Sequence, residues 1–175
     1  MSSLLFSPEL LAVIHAQYQL DWEGIHGVRH WARVLENGLR LASRTGSRKD
    51  VVILFALFHD ACRHNDHSDP DHGSRGAALA QHLRGQCFDL DDGGMRLLLD
   101  ACCRHSAGLL DGNPTVQTCW DADRLDLLRV GIEPCPDRLG TAEAHKAEVI
   151  AAANARACAD EFPHREEFTM PGTPR

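Results

Sequence analysis

The 175-residue sequence has no apolar run longer than the eight residues Val51 to Phe58, far short of the roughly 20 that a membrane-spanning helix needs. Met1 to Leu11 lacks a basic segment followed by a long apolar stretch, so no secretory signal peptide is expected. Positive charge is not in excess. Eighteen Lys and Arg stand against 25 Asp and Glu, a net charge of −7, which speaks against a binder of duplex nucleic acid. A small phosphorylated ligand remains compatible with that balance, because a bound metal ion inverts the local field. The seven cysteines (Cys62, Cys87, Cys102, Cys103, Cys119, Cys135 and Cys158) are odd in number and none pairs with C-x-x-C spacing. A disulfide framework and a structural zinc site are therefore not expected, and reduced thiols in a cytosolic protein are the simpler reading. The sequence also has no P-loop, no Gly-x-Ser-x-Gly and no Gly-x-Gly-x-x-Gly, so nucleotide chemistry on those scaffolds has no support.

What is present suits one globular domain spanning residues 1–175. Hydrophobic residues make up 43% and charged residues 25%, an ordinary balance for a chain able to bury one core. Helix signals dominate, and no β-hairpin, repeat or linker interrupts them. Ser7-Pro8-Glu9 opens a helix to about Leu20. A second is expected over His26 to Arg44, closed by Gly46, and a third over Arg48 to His64. The third contains the apolar octad, and a helix apolar on all sides is a central one. Pro70 starts a fourth with His72, Gly76, Ala80 and Leu83 inward. Asp91-Asp92 caps a fifth carrying Met95, Leu98/Leu99, Cys102 and His105. Thr115 to Val130 makes a sixth with Asp123 on its apolar face, and an Ala-rich helix covers residues 141–160. The tail 163–175 is expected to be irregular. The fold class is all-α, a bundle of about six to eight helices.

Polar residues on those apolar stripes carry the chemistry. Burying an unpaired titratable group costs several kcal/mol, so each must find a partner. His30, His59-Asp60, His72, His105 and Asp123 all point inward from successive helices. Neutral imidazole together with carboxylate suits a divalent transition metal, and helical bundles build such centres from facing helices. The doublet His59-Asp60, directly after eight apolar residues, is the sharpest signal, since a buried Asp is nearly always paired. His26 sits one turn before His30 and reads better as a helix cap than as a substrate contact. His64 and His67 could line the mouth, and His15, His82, His145 and His164 are expected at the surface or in the core. The remaining Lys and Arg read as a solvated face.

The ordered set resembles the HD superfamily of metal-dependent phosphohydrolases. The segments concerned are His30-Trp31-Ala32-Arg33-Val34, Phe58-His59-Asp60-Ala61-Cys62-Arg63 and Ala122-Asp123-Arg124-Leu125, and the likeness covers about residues 26–130. The resemblance implies that His30, His59, Asp60 and Asp123 hold one metal, with Asp123 preferred over Asp121. His72-Gly73-Ser74-Arg75-Gly76-Ala77 and Arg104-His105-Ser106-Ala107-Gly108 are similar to the extra motifs of binuclear members. These imply a second ion on His72 and His105, bridged by Asp60. The match is closest to bacterial HD hydrolases that split dinucleoside polyphosphates. The Gly-Tyr-Pro signature of the cyclic-dinucleotide phosphodiesterases is missing.

The expected activity is hydrolysis of a phosphomonoester, phosphodiester or phosphoanhydride, above all of a nucleotide, by water activated at one or two divalent ions. Fe, Mn, Co, Ni, Zn and Mg are not separable by the donor set. Asp60 is the candidate for orienting the water and Arg63 for contacting phosphate. No other cofactor is expected, and the protein is expected to be a monomer or homodimer. A di-iron oxygenase using the same ligands, and a non-catalytic nucleotide-binding module, are the competing readings.

Overall fold

The computed structural model describes residues 5–169 and contains seven α-helices joined by turns and short 3-10 segments. They are α1 (Pro8–Gln17), α2 (Val28–Thr45), α3 (Lys49–Phe58), α4 (His72–Leu83), α5 (Asp92–Arg104), α6 (Pro114–Arg124) and α7 (Ala147–Cys158). The all-α expectation holds. The starts of α1, α3, α5 and α6 lie within a residue of the sequence signals, because caps are local chemistry, whereas α2 and α4 start two residues later than expected. The Ser7 hydroxyl accepts from the Leu10 amide at 3.1 Å, Asp91 accepts from the Gly94 amide at 2.9 Å, and Asn113 from the Thr115 amide at 2.9 Å. Gly46 ends α2 with a left-handed φ of 71°, a conformation glycine reaches without steric cost.

Helix α3 is the centre of the packing and touches α2, α4, α5 and α6. Its octad is buried apart from the half-buried Ile53, as an all-round apolar helix requires. The core around it includes Leu10, Leu11 and Ile14 of α1, Trp31 and Leu35 of α2, Leu98 of α5 and Trp120 of α6. Among the described residues no helix is long and apolar enough to cross a membrane. All seven cysteines are free.

Several helix ends differ from expectation. Helix α3 stops at Phe58 rather than running to His64. The Ala61 and Arg63 amides donate to the Phe58 and Asp60 carbonyls at 3.3 Å, a pair of tight turns that swings both polar residues of the doublet inward. The sixth helix ends at Arg124, followed by a 3-10 segment at Leu127–Val130. The last helix begins at Ala147 rather than at 141, because the Thr141 amide and hydroxyl are both committed to Asp121, at 2.8 and 2.7 Å. The tail is irregular through 169 but docked. Phe168 is buried and meets Phe6 edge-on with centroids 5.3 Å apart; positions 170–175 lie outside the described residues.

Two glycines set the approach of α4. A Cβ on Gly73 would lie 2.1 Å from the Cys102 carbonyl oxygen of α5, and one on Gly76 would lie 2.1 Å from the Phe58 carbonyl oxygen of α3. Both neighbours are backbone and cannot rotate away. Only glycine lets α4 reach the end of α3 and the end of α5 together, which is what places His72 beside Asp60 and His105. Gly76→Ala is expected to lower stability by about 1–3 kcal/mol, the cost of an overpacked core, measured as a reduced urea midpoint with an unchanged m-value. An unshifted midpoint would contradict the account.

Candidate metal centre

The C-terminal ends of α3, α5 and α6 meet the N-terminal ends of α2 and α4 around Asp60. Asp60 leaves the turn after α3 fully buried and is shared by two groups of donors. In the first, His30 Nε2 lies 3.1 Å from His59 Nε2 and 3.7 Å from Asp60 Oδ2. Asp123 Oδ1 completes it, 3.4 Å from His30 Nε2 and 4.0 Å from His59 Nε2. In the second, His72 Nε2 lies 2.8 Å from His105 Nε2 and 3.1 Å from Asp60 Oδ1, with His105 Nε2 3.7 Å from that oxygen. His30, His59 and Asp60, and likewise Asp60, His72 and His105, each bring their ligand atoms within 4.8 Å of one another.

The orientation of each imidazole is fixed from behind. His30 Nδ1 donates to Asp126 Oδ2 at 2.8 Å, His59 Nδ1 to the Phe55 carbonyl at 3.1 Å and His105 Nδ1 to the Cys102 carbonyl at 2.8 Å. His72 Nδ1 donates to the Asp69 carbonyl. With every Nδ1 holding its proton, the four Nε2 lone pairs converge on the carboxylates. Bare lone pairs at such separations repel, so a cation between them resolves the conflict. A carboxylate or carbonyl behind each ligating imidazole is the usual second layer of a metal site. Two neutral imidazoles and two carboxylates balance a divalent charge, and the chemistry of this donor set fits such an ion.

The electrostatics agree with that reading. Burial pulls His59 down to about 3 despite the neighbouring Asp60 and Asp123 charges, keeping it neutral. Burial works against ionisation of Asp60, yet the surrounding imidazoles of His59, His105, His26 and His72 hold it well below the usual carboxylate range. Asp123 is likewise held low against burial, chiefly by His30 and His59. Its side chain is 17% exposed against 3% or less for the other three donors, so solvent meets the first group at Asp123. Burial lowers His105, but the neighbouring Asp60 and Asp123 carboxylates favour its charged form, outweigh burial and raise its pKa.

The structure thus gathers His30, His59, Asp60, His72, His105 and Asp123 at one place. Asp121 is elsewhere, accepting from the Gly140 and Thr141 amides at 2.7 and 2.8 Å. Arg63 is not a solvated residue. It is 8% exposed, and its guanidinium donates to the His67 carbonyl at 2.8 Å, to His72 Nε2 at 3.2 Å and to Asp60 Oδ1 at 3.4 Å. His26 corrects the expectation of a helix cap. It precedes α2 in a turn, and its Nδ1 donates to Asp60 Oδ2 at 2.9 Å. His64 and His67 are exposed on the loop beside Arg63.

Sequence reasoning missed Asp126 and Arg33. Asp126 is 1% exposed and receives Arg33 Nε at 2.7 Å as well as His30. Arg33 is 3% exposed and reaches on to Asp160 Oδ1 at 2.9 Å, so it does not belong to a solvated face. A carboxylate three residues after Asp123, among Leu125, Leu127 and Leu128, was the available signal.

Asp126→Asn is expected to weaken divalent-metal affinity about 10–100-fold, the range for such supporting groups, measured by calorimetric titration of chelator-stripped protein; unchanged affinity would remove Asp126 from the centre. The pH dependence of metal-free stability follows from the same groups. The unfolded chain protonates His59 near its ordinary 6.5 and the fold only near 3, so stability falls with pH through that window. Asp60 and Asp123 add loss in the same direction below the ordinary carboxylate 3.8. His105, with its raised folded pKa, contributes stability that is complete below 6.5 and lost as pH rises through the higher folded value. Thermal midpoints of chelator-stripped protein should therefore peak close to the ordinary imidazole pKa and decline on both sides. A monotonic profile would contradict these assignments.

No family model and no curated protein matches the chain. A solved structure does, that of a predicted HD superfamily hydrolase from an uncultured Thermotogales bacterium. It superposes with a TM-score of 0.65 at 25% identity over 86% of each chain. The ordered histidines and aspartates therefore sit in a shared framework, and the fold of this chain is that of the HD superfamily.

Proposed function

We propose that the protein is a metal-dependent phosphohydrolase acting on a phosphomonoester, phosphodiester or phosphoanhydride of a nucleotide. The observation that carries this reading is the convergence of the buried His30, His59 and Asp60 into one donor group, with the partly exposed Asp123 beside both histidines. The likeness to a predicted HD superfamily hydrolase supports it at the level of reaction class. Divalent ions held there supply positive charge that lowers the pKa of water and polarises a phosphoryl oxygen. The residues do the rest. Asp60 holds its charge through protein hydrogen bonds and shares its two oxygens between the donor groups, which makes it the group that orients the attacking water. His26 shares Asp60 Oδ2 at 2.9 Å and restrains that carboxylate. The second group, His72, His105 and Asp60, would hold a second ion, with Asp60 common to both groups.

Arg63 enters this scheme as the phosphate contact. Its Nη1 lies against His72 Nε2 and Asp60 Oδ1, where a second ion would need those lone pairs. Displaced from them, the planar guanidinium offers paired donors to a phosphoryl group. Its hold on the Asn65 and His67 carbonyls keeps it at the rim of the centre.

The test is a screen of purified protein loaded with Mn²⁺, Co²⁺, Ni²⁺ or Fe²⁺ against nucleoside phosphates, linear and cyclic dinucleotides and p-nitrophenyl phosphate. Phosphate release is expected with at least one metal. Turnover should fall to background in His59→Ala and by about 100-fold in Arg63→Ala, as for loss of a single charge-stabilising donor. Absence of turnover with every metal, or oxygen consumption by a coloured iron form, would overturn the hydrolase reading.

A further inference from the structure

The second donor group already has a cation against it. Arg63 is buried, and its guanidinium is divided between two sets of acceptors. Nε and Nη2 donate to the Asn65 and His67 carbonyls at 3.3 and 2.8 Å. Nη1 donates to His72 Nε2 at 3.2 Å and to Asp60 Oδ1 at 3.4 Å. The first group differs. Among the described residues, no Arg or Lys bonds to His30 Nε2, His59 Nε2 or Asp123, which face one another instead.

A guanidinium and a metal ion exclude each other at His72. Its Nδ1 carries a proton directed at the Asp69 carbonyl, so Nε2 has one lone pair, which serves either a hydrogen-bond donor or a metal ion. Charge points the same way. The six donors include two carboxylates, Asp60 and Asp123, and one divalent ion in the first group matches their summed charge. A further divalent ion beside His72 and His105 meets only neutral imidazoles and the shared Asp60, with the Arg63 charge a hydrogen bond away. Like charges that close repel strongly where water is scarce. A phosphate or phosphoryl anion changes this balance, because it brings negative charge and paired oxygens that a guanidinium binds two at a time. The other anchors of Arg63 belong to a largely exposed loop, residues 64–68, outside the helical core.

We propose that Arg63 is an internal cation that keeps a metal ion out of the second donor group until a phosphate or phosphoryl anion draws the guanidinium away, so that the anion and the second ion bind cooperatively. The role assigned to Arg63 rests on the metal-centre part of the proposed function, not on turnover. Filling is ordered, since the first group offers its donors without this competition. By linkage, the anion tightens the second ion by the same factor as the second ion tightens the anion. No covalent bond is made or broken, and Arg63 keeps its charge throughout.

The experiment counts Mn²⁺ bound to full-length, chelator-stripped protein from the paramagnetic resonance signal of the free ion, with and without inorganic phosphate. Wild type without phosphate should bind one ion tightly and a second at least about 10-fold more weakly, and phosphate should tighten the second about 10-fold, within the usual range of coupling between sites. Arg63→Met keeps the aliphatic stem and removes the charge. It should tighten the second ion about as much with no phosphate present, and shrink the phosphate effect several-fold. Direct coordination of phosphate by the ions, with no part for Arg63, would leave that effect undiminished and overturn the inference. The wild-type arm needs no variant to fold. Two wild-type ions of equal affinity, or a second ion that is absent or unresponsive with phosphate, would overturn it as well. A protein that binds no Mn²⁺ at all would overturn the metal centre together with this role of Arg63. Ordered, phosphate-coupled binding without turnover of any phosphoester would overturn the hydrolase reading alone and leave Arg63 as assigned.

Discussion

Four imidazole lone pairs aimed at the buried Asp60 and the partly exposed Asp123 are the constraint around which this fold is organised. Each histidine is committed through Nδ1 to a backbone carbonyl or to Asp126. The Nε2 atoms that remain face one another at 3.1 and 2.8 Å. Desolvation opposes charging His59, so protonation is a poor way to relieve that contact, whereas a divalent ion matches the summed charge of two neutral imidazoles and two carboxylates. The donor set is thus one that could hold a divalent ion.

Much of the surrounding architecture serves that geometry. The octad of α3 buries itself among four helices, and its end delivers His59 and Asp60 into the interior. Gly73 and Gly76 let α4 close onto the ends of α3 and α5, so that His72 meets His105. The Trp120 indole donates to the Ala101 carbonyl at 3.1 Å, tying α6 to α5 near the turn that carries His105. Asp121 holds the 140–141 backbone and leaves its neighbour Asp123 free to face the histidines. The same stretch of α6 therefore divides its two acidic residues between structure and chemistry.

The parts of this arrangement that local sequence encodes were legible. Ser7-Pro8, Asp91 and Gly46 mark helix ends because capping involves only a few neighbouring residues, and the octad followed by His59-Asp60 announces a buried polar doublet by itself. His72, His105 and Asp123 are read from helical periodicity, which tells inward from outward. What periodicity does not tell is where a helix stops under the pull of a distant partner. A helix continued through residue 64 misplaces the doublet by ending it on the wrong turn, and a helix continued to residue 130 conceals the break at Arg124 that turns Asp126 toward His30. The Arg33–Asp126–His30 chain spans 93 and 96 positions of sequence, so neither composition nor spacing could supply it. His26 likewise looked like a cap until Asp60, 34 residues away, was placed against it.

The decisive property of the molecule is whether a cation occupies the point toward which His30, His59, Asp60 and Asp123 converge. Anomalous diffraction from crystals grown with Mn²⁺, recorded on both sides of the metal edge, measures this directly. A peak about 2.0–2.3 Å from His30 Nε2, His59 Nε2 and a carboxylate oxygen of Asp60 and Asp123 is the predicted result, in keeping with first-row metal–ligand distances. A well-ordered centre without such a peak, or a peak only at surface residues, would contradict it.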